Sequence, residues 1–183
     1  MANFENWYKR LGNTVDLPVA YVLDRYVAKR ESALDLGAGN LRHSKFFLRM
    51  GFDRVLAVDN NVDVIQYWNP RIELRLTDLR NCLPESRAFD YVICRQTMYC
   101  FRRDDMQVII DKAFIALRPG GVLLCDFAGE KDDLFREIDT CVTRIDLDRF
   151  RAGWLLLDIA ESVGEANDAG HVRHIYDLVV RKP

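Results

Sequence analysis

The stretch SALDLGAGN, residues 32–40, decides the fold that this sequence predicts. A short apolar run leads into two glycines, and apolar residues at helical spacing follow as far as Gly51. This pattern predicts a strand, a tight turn and a helix, which is how an α/β nucleotide-binding unit begins. Gly37 and Gly39 suit a sharp turn and a close approach of backbone to a ligand, because neither has a Cβ atom. We expect Asn40 to cap the helix and Gly51 to end it.

A second apolar run, residues 55–58, ends in Asp59, twenty residues after Gly39. A carboxylate at the tip of the next strand can accept hydrogen bonds from both hydroxyls of a ribose. The glycine turn and this acid therefore indicate a cofactor that contains adenosine. The dinucleotide fingerprint G-x-G-x-x-G is incomplete, because Arg42 occupies its last position, and the phosphate-binding G-x-x-x-x-G-K-[ST] loop is absent.

The form D-x-G-x-G, residues 35–39, resembles motif I of the class I S-adenosylmethionine-dependent methyltransferases. Where that family usually has a third glycine, this chain has Leu41. The resemblance implies S-adenosyl-L-methionine as the cofactor. It implies that the acid and the glycine backbone of the motif hold the methionine end of this cofactor, through Asp35, Gly37, Ala38 and Gly39.

The resemblance also assigns the adenosine end of the cofactor. Asp59, with Asn60 beside it, is expected to hold the ribose. Asp78, with Leu79 beside it, follows the third predicted strand, where this family commonly contacts the adenine amino group. A simple turn-forming role for Asp78 is the alternative. The binding role is favoured because Asp35, Asp59 and Asp78 follow successive strands, and ligands of open α/β sheets bind at the carboxyl ends of the strands.

The rest of the chain predicts a single domain, residues 1–183, in which helices and strands alternate. The predicted strands are 32–36, 54–58, 72–76, 89–94, 122–126, 154–160 and 171–181. The predicted helices are 17–29, 41–50, 61–67, 104–117 and 146–152, the fourth capped by Asp104 or Asp105, while 118–121 form a turn and 128–143 show no clear element. By resemblance the fold is α/β, with a Rossmann-like, doubly wound and mostly parallel seven-stranded sheet. Helices cover both faces, and the last two strands form an antiparallel hairpin.

Within class I, the chain is most similar to the small tellurite-resistance-type methyltransferases. The matching stretches are LDLGAGNLRHS, RVLAVDNN, FDYVICRQTMYCF and LRPGGVLL, together with the tail that begins at Trp154. His43 stands where those enzymes usually have asparagine, and the terminal hairpin is shorter than theirs. The resemblance implies a small acceptor without identifying it. It also implies that residues 1–31 form a helical lid, although Trp7 and Tyr8 would serve equally to pack on the sheet edge.

Composition excludes several classes of function. With 26 basic and 28 acidic residues and a net charge of −2, the chain offers no general electrostatic attraction for nucleic acid. No apolar run approaches the ~18 residues of a membrane span, and the N-terminus is too charged for a signal peptide. Five cysteines without C-x-x-C spacing predict reduced thiols, no metal site and a cytoplasmic location. The oligomeric state is left open.

The residues that would surround the transferred methyl are harder to predict. Transfer from a sulfonium is an in-line displacement, so the protein mainly aligns the nucleophile and excludes water. Arg95, Gln96 and Tyr99 leave the fourth strand toward this point, and Arg95 is also a candidate to bind the cofactor. His43 is a candidate base, with a helix-surface position as the alternative. His171 and His174 are further candidates to touch the substrate.

Four arginines, at positions 42, 95, 102 and 103, fall at the same end of the sheet and would either favour an anionic acceptor or simply be solvated. The N/D-P-P-Y/F/W and Pro-Cys motifs of nucleic acid methylation are absent after the fourth strand. The sequence therefore favours a methyltransferase that acts on a small molecule. A non-catalytic module that binds S-adenosylmethionine or S-adenosylhomocysteine for a partner protein is the alternative. An NAD-dependent oxidoreductase is weaker, because Arg42 interrupts its fingerprint.

Overall fold

A computed structural model describes residues 12–133, 140–165 and 171–183, and these residues build one seven-stranded sheet. The strands are β1 (Ser32–Leu36), β2 (Arg54–Asp59), β3 (Ile72–Leu76), β4 (Phe89–Cys94), β5 (Leu117–Ala128), β6 (Leu155–Glu165) and β7 (Val172–Arg181). Their order across the sheet is β3-β2-β1-β4-β5-β7-β6. The first five strands pair in parallel, and β7 pairs antiparallel with both β5 and β6. The predicted terminal hairpin is therefore confirmed.

The helices lie on both faces of this sheet, as predicted. They are α1 (Leu17–Tyr26), α2 (Arg42–Arg49), α3 (Arg103–Ala116) and α4 (Arg144–Phe150), with short 3-10 helices at Val62–Tyr67 and Met98–Cys100. One apolar layer joins the sheet to α1 and α2, through side chains such as Val19 and Phe47. The other joins it to α3 and α4, through side chains such as Ile109 and Phe150. Every residue of β1 and β4 is buried, as expected for central parallel strands that are covered on both faces.

Several predicted boundaries differ from the observed ones. The first helix ends at Tyr26, before residues 27–29, and residues 62–67 wind as a 3-10 helix. The third α-helix begins at Arg103, so the two acids that were expected to cap it lie in its first turn instead. Strand β5 begins at Leu117, and the predicted turn at 118–121 is part of this strand, with a local break at Gly120 (φ 81°).

The last residue of the region predicted to lack structure, Thr143, is the N-cap of α4. The Thr143 hydroxyl accepts a hydrogen bond from the Asp146 N–H, and the Asp146 carboxylate accepts one from the Thr143 N–H. This capping box moves the start of the helix from the predicted residue 146 to Arg144. Residues 134–139 lie outside the described residues, as do residues 1–11, which include Trp7 and Tyr8 of the predicted lid.

Candidate active site

A cavity of about 420 Å³ lies at the carboxyl ends of β1 to β4. The glycine turn after β1 supplies one wall, and the ends of the neighbouring strands supply the others, at 59–61, 78–80 and 95–97. The start of α3 and the residues before it close the outer side, at 100–102 and 105. This is the edge at which open α/β sheets bind their ligands. The cavity therefore lies where the spacing of the predicted site residues placed it.

The glycine turn is compact because β4 approaches it closely. Gly37 has φ 75°, and a Cβ atom added there would lie 2.2 Å from Thr97 Oγ1. The Gly37 and Ala38 amides both donate to the Val58 carbonyl, at 2.8 and 3.1 Å. The absence of a side chain at Gly37 therefore allows Thr97 to pack closely against the glycine turn.

The start of α2 differs from the prediction. The residue before the helix is Leu41, in the left-handed conformation (φ 59°), with no side-chain cap. Asn40 still contributes to the helix start, since its Oδ1 accepts a hydrogen bond from the Arg42 N–H at 3.3 Å. Its Nδ2 donates to the Gly12 carbonyl at 2.7 Å, which attaches the N-terminal segment to the cavity wall.

Asp59 lines the cavity and also supports its wall. Its Oδ2 accepts a hydrogen bond from the Gly39 N–H, and its Oδ1 accepts one from the Asn61 N–H, each at 2.8 Å. A carboxylate oxygen can accept more than one hydrogen bond, so both oxygens keep capacity for a ligand hydroxyl. Asn60 also lines the cavity. The carboxylate thus joins the glycine turn to the end of β2 and still faces the space beside it.

Asp78 and Leu79 line the cavity beyond the end of β3. The Asp78 carboxylate accepts hydrogen bonds from the Arg80 guanidinium (2.7 Å) and from the Arg80 N–H (2.8 Å). These bonds from Arg80 lower the pKa of Asp78. The contact with the backbone N–H two residues ahead also makes Asp78 a turn former, so both roles that the sequence allowed are compatible with its position.

Two predicted site residues do not line the cavity. Asp35 is inside β1, 1% exposed, and its carboxylate accepts a hydrogen bond from the Ser44 hydroxyl at 2.6 Å. Burial raises the pKa of this carboxyl group. Tyr99 is also buried, and the Arg173 guanidinium lies 5.6 Å from its ring centroid. Their direct contacts with the cofactor or acceptor stay predictions that this burial does not support; Asp35 is enclosed because both faces of β1 are covered.

Arg95 and His43 do line the cavity, and both are buried in an ionic cluster that the sequence did not reveal. The Arg95 guanidinium binds the Asp177 carboxylate of β7, and it lies 3.8 Å from Asp126 of β5 and 3.6 Å from Asp16. His43 Nε2 accepts a hydrogen bond from Arg42 Nε at 3.2 Å and lies 3.4 Å from Asp16. His43 is therefore not a helix-surface residue.

Asp16, at the start of α1, joins this cluster from outside the sheet. Burial alone would raise its pKa, but the neighbouring side chains of His43, Arg42 and Arg95 lower it to about 2. Burial raises the pKa of Asp126, and the Arg95 charge opposes that rise. The positive side chains of this cluster therefore favour the ionised forms of Asp16 and Asp126, which burial disfavours.

The arginines at this end of the sheet are mostly neutralised. Arg42 pairs with Asp16 at 2.9 Å, Arg95 pairs with Asp177, and Arg103 lies 3.5 Å from Asp146. Arg102 is exposed at the rim of the cavity. Because three of these four arginines are paired, they provide less attraction for an anionic acceptor than four free arginines would.

The two candidate histidines of the last strand lie away from the cavity. His174 is fully buried, its Nδ1 accepts from the Lys131 N–H at 3.1 Å, and its Nε2 lies 3.0 Å from Glu161. His171 lies 3.4 Å from Asp133. Neither lines the cavity, so their expected contact with substrate is corrected.

The sequence did not indicate three acidic residues that only the tertiary fold brings to this site. Asp16, Asp126 and Asp177 come from three distant segments, and no local motif marks them. Gln96 was expected near the methyl because it follows the end of β4, and it lines the cavity. Among the described residues, no three acid, histidine or cysteine side chains are grouped as a metal site requires. In the same part of the chain, every helix is too short or too polar to cross a membrane.

Comparison with known proteins identifies the relatives of this fold. Residues 33–121 match the family described as a methyltransferase domain, while no protein of curated function matches the sequence. TehB from Haemophilus influenzae is 20% identical, over 98% of this chain and 67% of that chain, with a TM-score of 0.78. At such identities the likeness shows the fold alone.

Two further similar structures were solved with bound ligands. The N-methyltransferase NodS from Bradyrhizobium japonicum, in complex with S-adenosyl-L-homocysteine, is 16% identical over 100% of both chains, with a TM-score of 0.71. The 1,6-didemethyltoxoflavin-N1-methyltransferase from Burkholderia thailandensis is bound to 1,6-didemethyltoxoflavin and S-adenosylhomocysteine. It is 18% identical over 97% of this chain and 82% of that chain, with a TM-score of 0.72.

Proposed function

We propose that this chain is a class I S-adenosylmethionine-dependent methyltransferase and that it methylates a small-molecule acceptor in the cavity described above, which the match of residues 33–121 to a methyltransferase domain supports. The observation that carries the proposal is the cavity itself, enclosed by the glycine turn and by the carboxylates at the ends of β2 and β3. The named acceptor of the Burkholderia thailandensis relative is a small molecule, which supports the same class of acceptor here.

The residues of the cavity fit the cofactor. Asp59 can accept hydrogen bonds from the ribose hydroxyls, with Asn60 beside it. Asp78 and Leu79 are proposed to contact the adenine, and the backbone of residues 37–39 the methionine end, which their positions in the cavity lining support. Asp35 acts indirectly in this proposal, by supporting the turn through Ser44.

When bound, S-adenosyl-L-methionine supplies an electrophilic methyl group on a sulfonium. The protein's part is to align the acceptor with that group and to exclude water. Arg95 is proposed to position the reacting end, because its three carboxylate neighbours hold its guanidinium at the cavity wall. His43 is proposed as a positioning residue instead of a base, because its Nε2 already accepts a hydrogen bond from Arg42.

The single-domain organisation and the cytoplasmic location are part of the same proposal. All described strands belong to one sheet, which supports one domain. All five cysteines are free thiols, as in a reducing compartment.

Calorimetry tests the cofactor first. We expect S-adenosylmethionine and S-adenosylhomocysteine to bind and NAD⁺ not to bind; the reverse result would contradict the proposal. The formation of S-adenosylhomocysteine is then followed with a panel of small amines, phenols, thiols and carboxylates. Binding without turnover of any acceptor would favour the non-catalytic module.

A further inference from the structure

The end of β4 lies beyond the part of the site that is proposed to hold the adenosine. Along the sheet edge, Asp78 follows β3, Asp59 ends β2, Gly37 follows β1 and Gln96 follows β4. The base, the ribose and then the sulfonium follow one another in the cofactor. Given the proposed function, on which this inference rests, the β4 end is therefore the part of the wall nearest the reacting centre.

Gln96 is held in place by backbone geometry that few residues adopt. Its φ is 53°, in the left-handed region, which costs a non-glycine residue about 1 kcal/mol. Its backbone N–H donates to the buried Asp126 carboxylate at 2.6 Å. Its side-chain Nε2 lies 3.5 Å from Asp16 Oδ2. Because both ends of the residue are attached, the position of its remaining side-chain polar atom, Oε1, is defined, and the residue lines the cavity.

Two polar atoms at this wall have no hydrogen-bond partner among the residues that the structure describes. One is the acceptor Gln96 Oε1 and the other is the donor Arg95 Nε, and both are buried. A buried polar atom without a partner costs about 1–3 kcal/mol, so such atoms require an explanation. Arg95 and Gln96 are consecutive residues and both line the cavity. A ligand group that donates to one and accepts from the other would satisfy both.

The charges around these atoms favour a donor over an anion. Asp16, Asp126 and Asp177 surround the guanidinium of Arg95, and Arg42 and His43 lie beside Asp16. Among the described residues, the positive groups of this cluster are therefore already engaged by carboxylates. An additional anion would find no unengaged positive group there and would be repelled by the nearby carboxylates in a partly desolvated wall.

We propose that Gln96 is a specificity-determining residue of the acceptor subsite, and that the acceptor is a neutral or cationic molecule that presents an N–H or O–H group. The Gln96 Oε1 accepts a hydrogen bond from that group and so orients the lone pair of the same atom toward the methyl carbon. The lone pair forms the new bond while the carbon–sulfur bond breaks and its electron pair stays on sulfur. The proton of the acceptor then leaves to water. Carboxylate and phosphate acceptors are discriminated against.

Sinefungin tests this inference without knowledge of the acceptor, because it carries an amine at the place of the transferred methyl. S-adenosylhomocysteine shares the rest of the molecule but lacks that amine. We expect the wild-type protein to bind sinefungin about tenfold more tightly than S-adenosylhomocysteine. The Gln96→Met variant should lose about tenfold in affinity for sinefungin and less than about twofold for S-adenosylhomocysteine.

Two further variants complete the experiment. Gln96→Leu also removes the acceptor oxygen without adding a charge, so it should lose about tenfold in affinity for sinefungin while S-adenosylhomocysteine binding changes by less than about twofold; it also serves if Gln96→Met fails to fold. Gln107→Met is the matched control, since Gln107 is on α3, outside the cavity, where it bonds to Asp111 at 2.8 Å. This control should leave both affinities unchanged.

The outcomes separate the inference from the function on which it rests. Equal loss of both ligands in Gln96→Met would overturn the inference, because Gln96 would then contact the part that the two ligands share. Unchanged sinefungin binding in both Gln96 variants would overturn it too. Failure of the wild-type protein to bind either ligand would instead refute the proposed function, and the inference with it.

Discussion

Asp59 supports the glycine turn and also lines the cavity, so a substitution there tests its contribution to ligand binding. Its carboxylate bonds to the Gly39 and Asn61 amides and faces the cavity. We predict that Asp59→Ala weakens S-adenosylhomocysteine binding by roughly 1.5–3 kcal/mol, because charged hydrogen bonds to the ribose are lost and the turn is loosened. Calorimetry measures this change.

Asp63→Ala is the control for that measurement, because Asp63 is an exposed acid in the adjacent 3-10 helix. It should bind the ligand as the wild type does. An unchanged dissociation constant for Asp59→Ala would argue against the ribose role.

Asp16 makes stability depend on acid pH in a predictable direction. Its pKa in the folded protein is about 2, below the ordinary value of 3.8. A depressed pKa stabilises the fold above pH 3.8, and this contribution is lost as the pH falls toward 2. We predict that Asp16→Asn lowers the free energy of unfolding by about 1–2 kcal/mol at pH 7. The difference from the wild type should shrink between pH 4 and pH 2.

Urea denaturation at several pH values measures this difference. Asp24→Asn provides the control, because Asp24 is an exposed acid on the same helix. A difference for Asp16→Asn that stayed constant from pH 7 to pH 2 would contradict the assignment.

At the scale of elements, the turn that leads into α2 has Leu41 at the position where motif I usually has its third glycine. Leu41 keeps the left-handed conformation (φ 59°) and is fully buried. The strain is therefore compensated by packing in the layer between the sheet and α1. The turn has the shape that a glycine would favour, although a large side chain occupies the position.

This arrangement predicts an unusual order of stability. Leu41→Ala and Leu41→Gly should both destabilise the protein by about 2–5 kcal/mol, because the buried side chain is removed. Glycine should nevertheless be the milder change by about 0.5–1 kcal/mol, since it adopts positive φ without strain. Chemical denaturation of the two variants compares them directly. If the alanine variant were the more stable, the left-handed conformation of residue 41 would be refuted.

At the scale of the whole molecule, Arg95 connects segments that are far apart in the sequence. It joins the end of β4 to β5, to β7 and to the start of α1. Removing one partner from a buried ionic set leaves charges without compensation. We predict that Arg95→Met destabilises the protein by about 3–5 kcal/mol at pH 7. The effect should shrink at lower pH, because burial raises the pKa of Asp126, and without the opposing Arg95 charge this carboxylate becomes neutral as the pH falls.

Denaturation at pH 7 and pH 5 tests this prediction. Arg71→Met is the control, because Arg71 is an exposed arginine beside β3. Its stability should match the wild type at both values. The double variant Arg95→Met, Asp177→Asn should recover part of the loss, and no recovery would contradict the pairing between β4 and β7.

The sequence by itself determined the order of the strands along the chain, the glycine turn and the acids at the ends of β2 and β3. These features are local: apolar periodicity, two glycines and the spacing to Asp59 depend on neighbouring residues only. It also indicated the terminal hairpin, through the resemblance of the tail. Errors fell at helix ends such as Arg103 and Arg144, where the conformation of one cap residue decides the boundary.

Only the tertiary structure decided which of the candidate side chains reach the cavity. Asp35 and Tyr99 are buried, whereas Gln96 and Arg95 line the cavity, and Arg95 pairs with Asp16, Asp126 and Asp177. The physical reason is that burial and ion pairing depend on contacts between distant segments. A sequence shows that a charged residue is present, but its partners, and so its chemistry, are set by the packing of the sheet and helices around it.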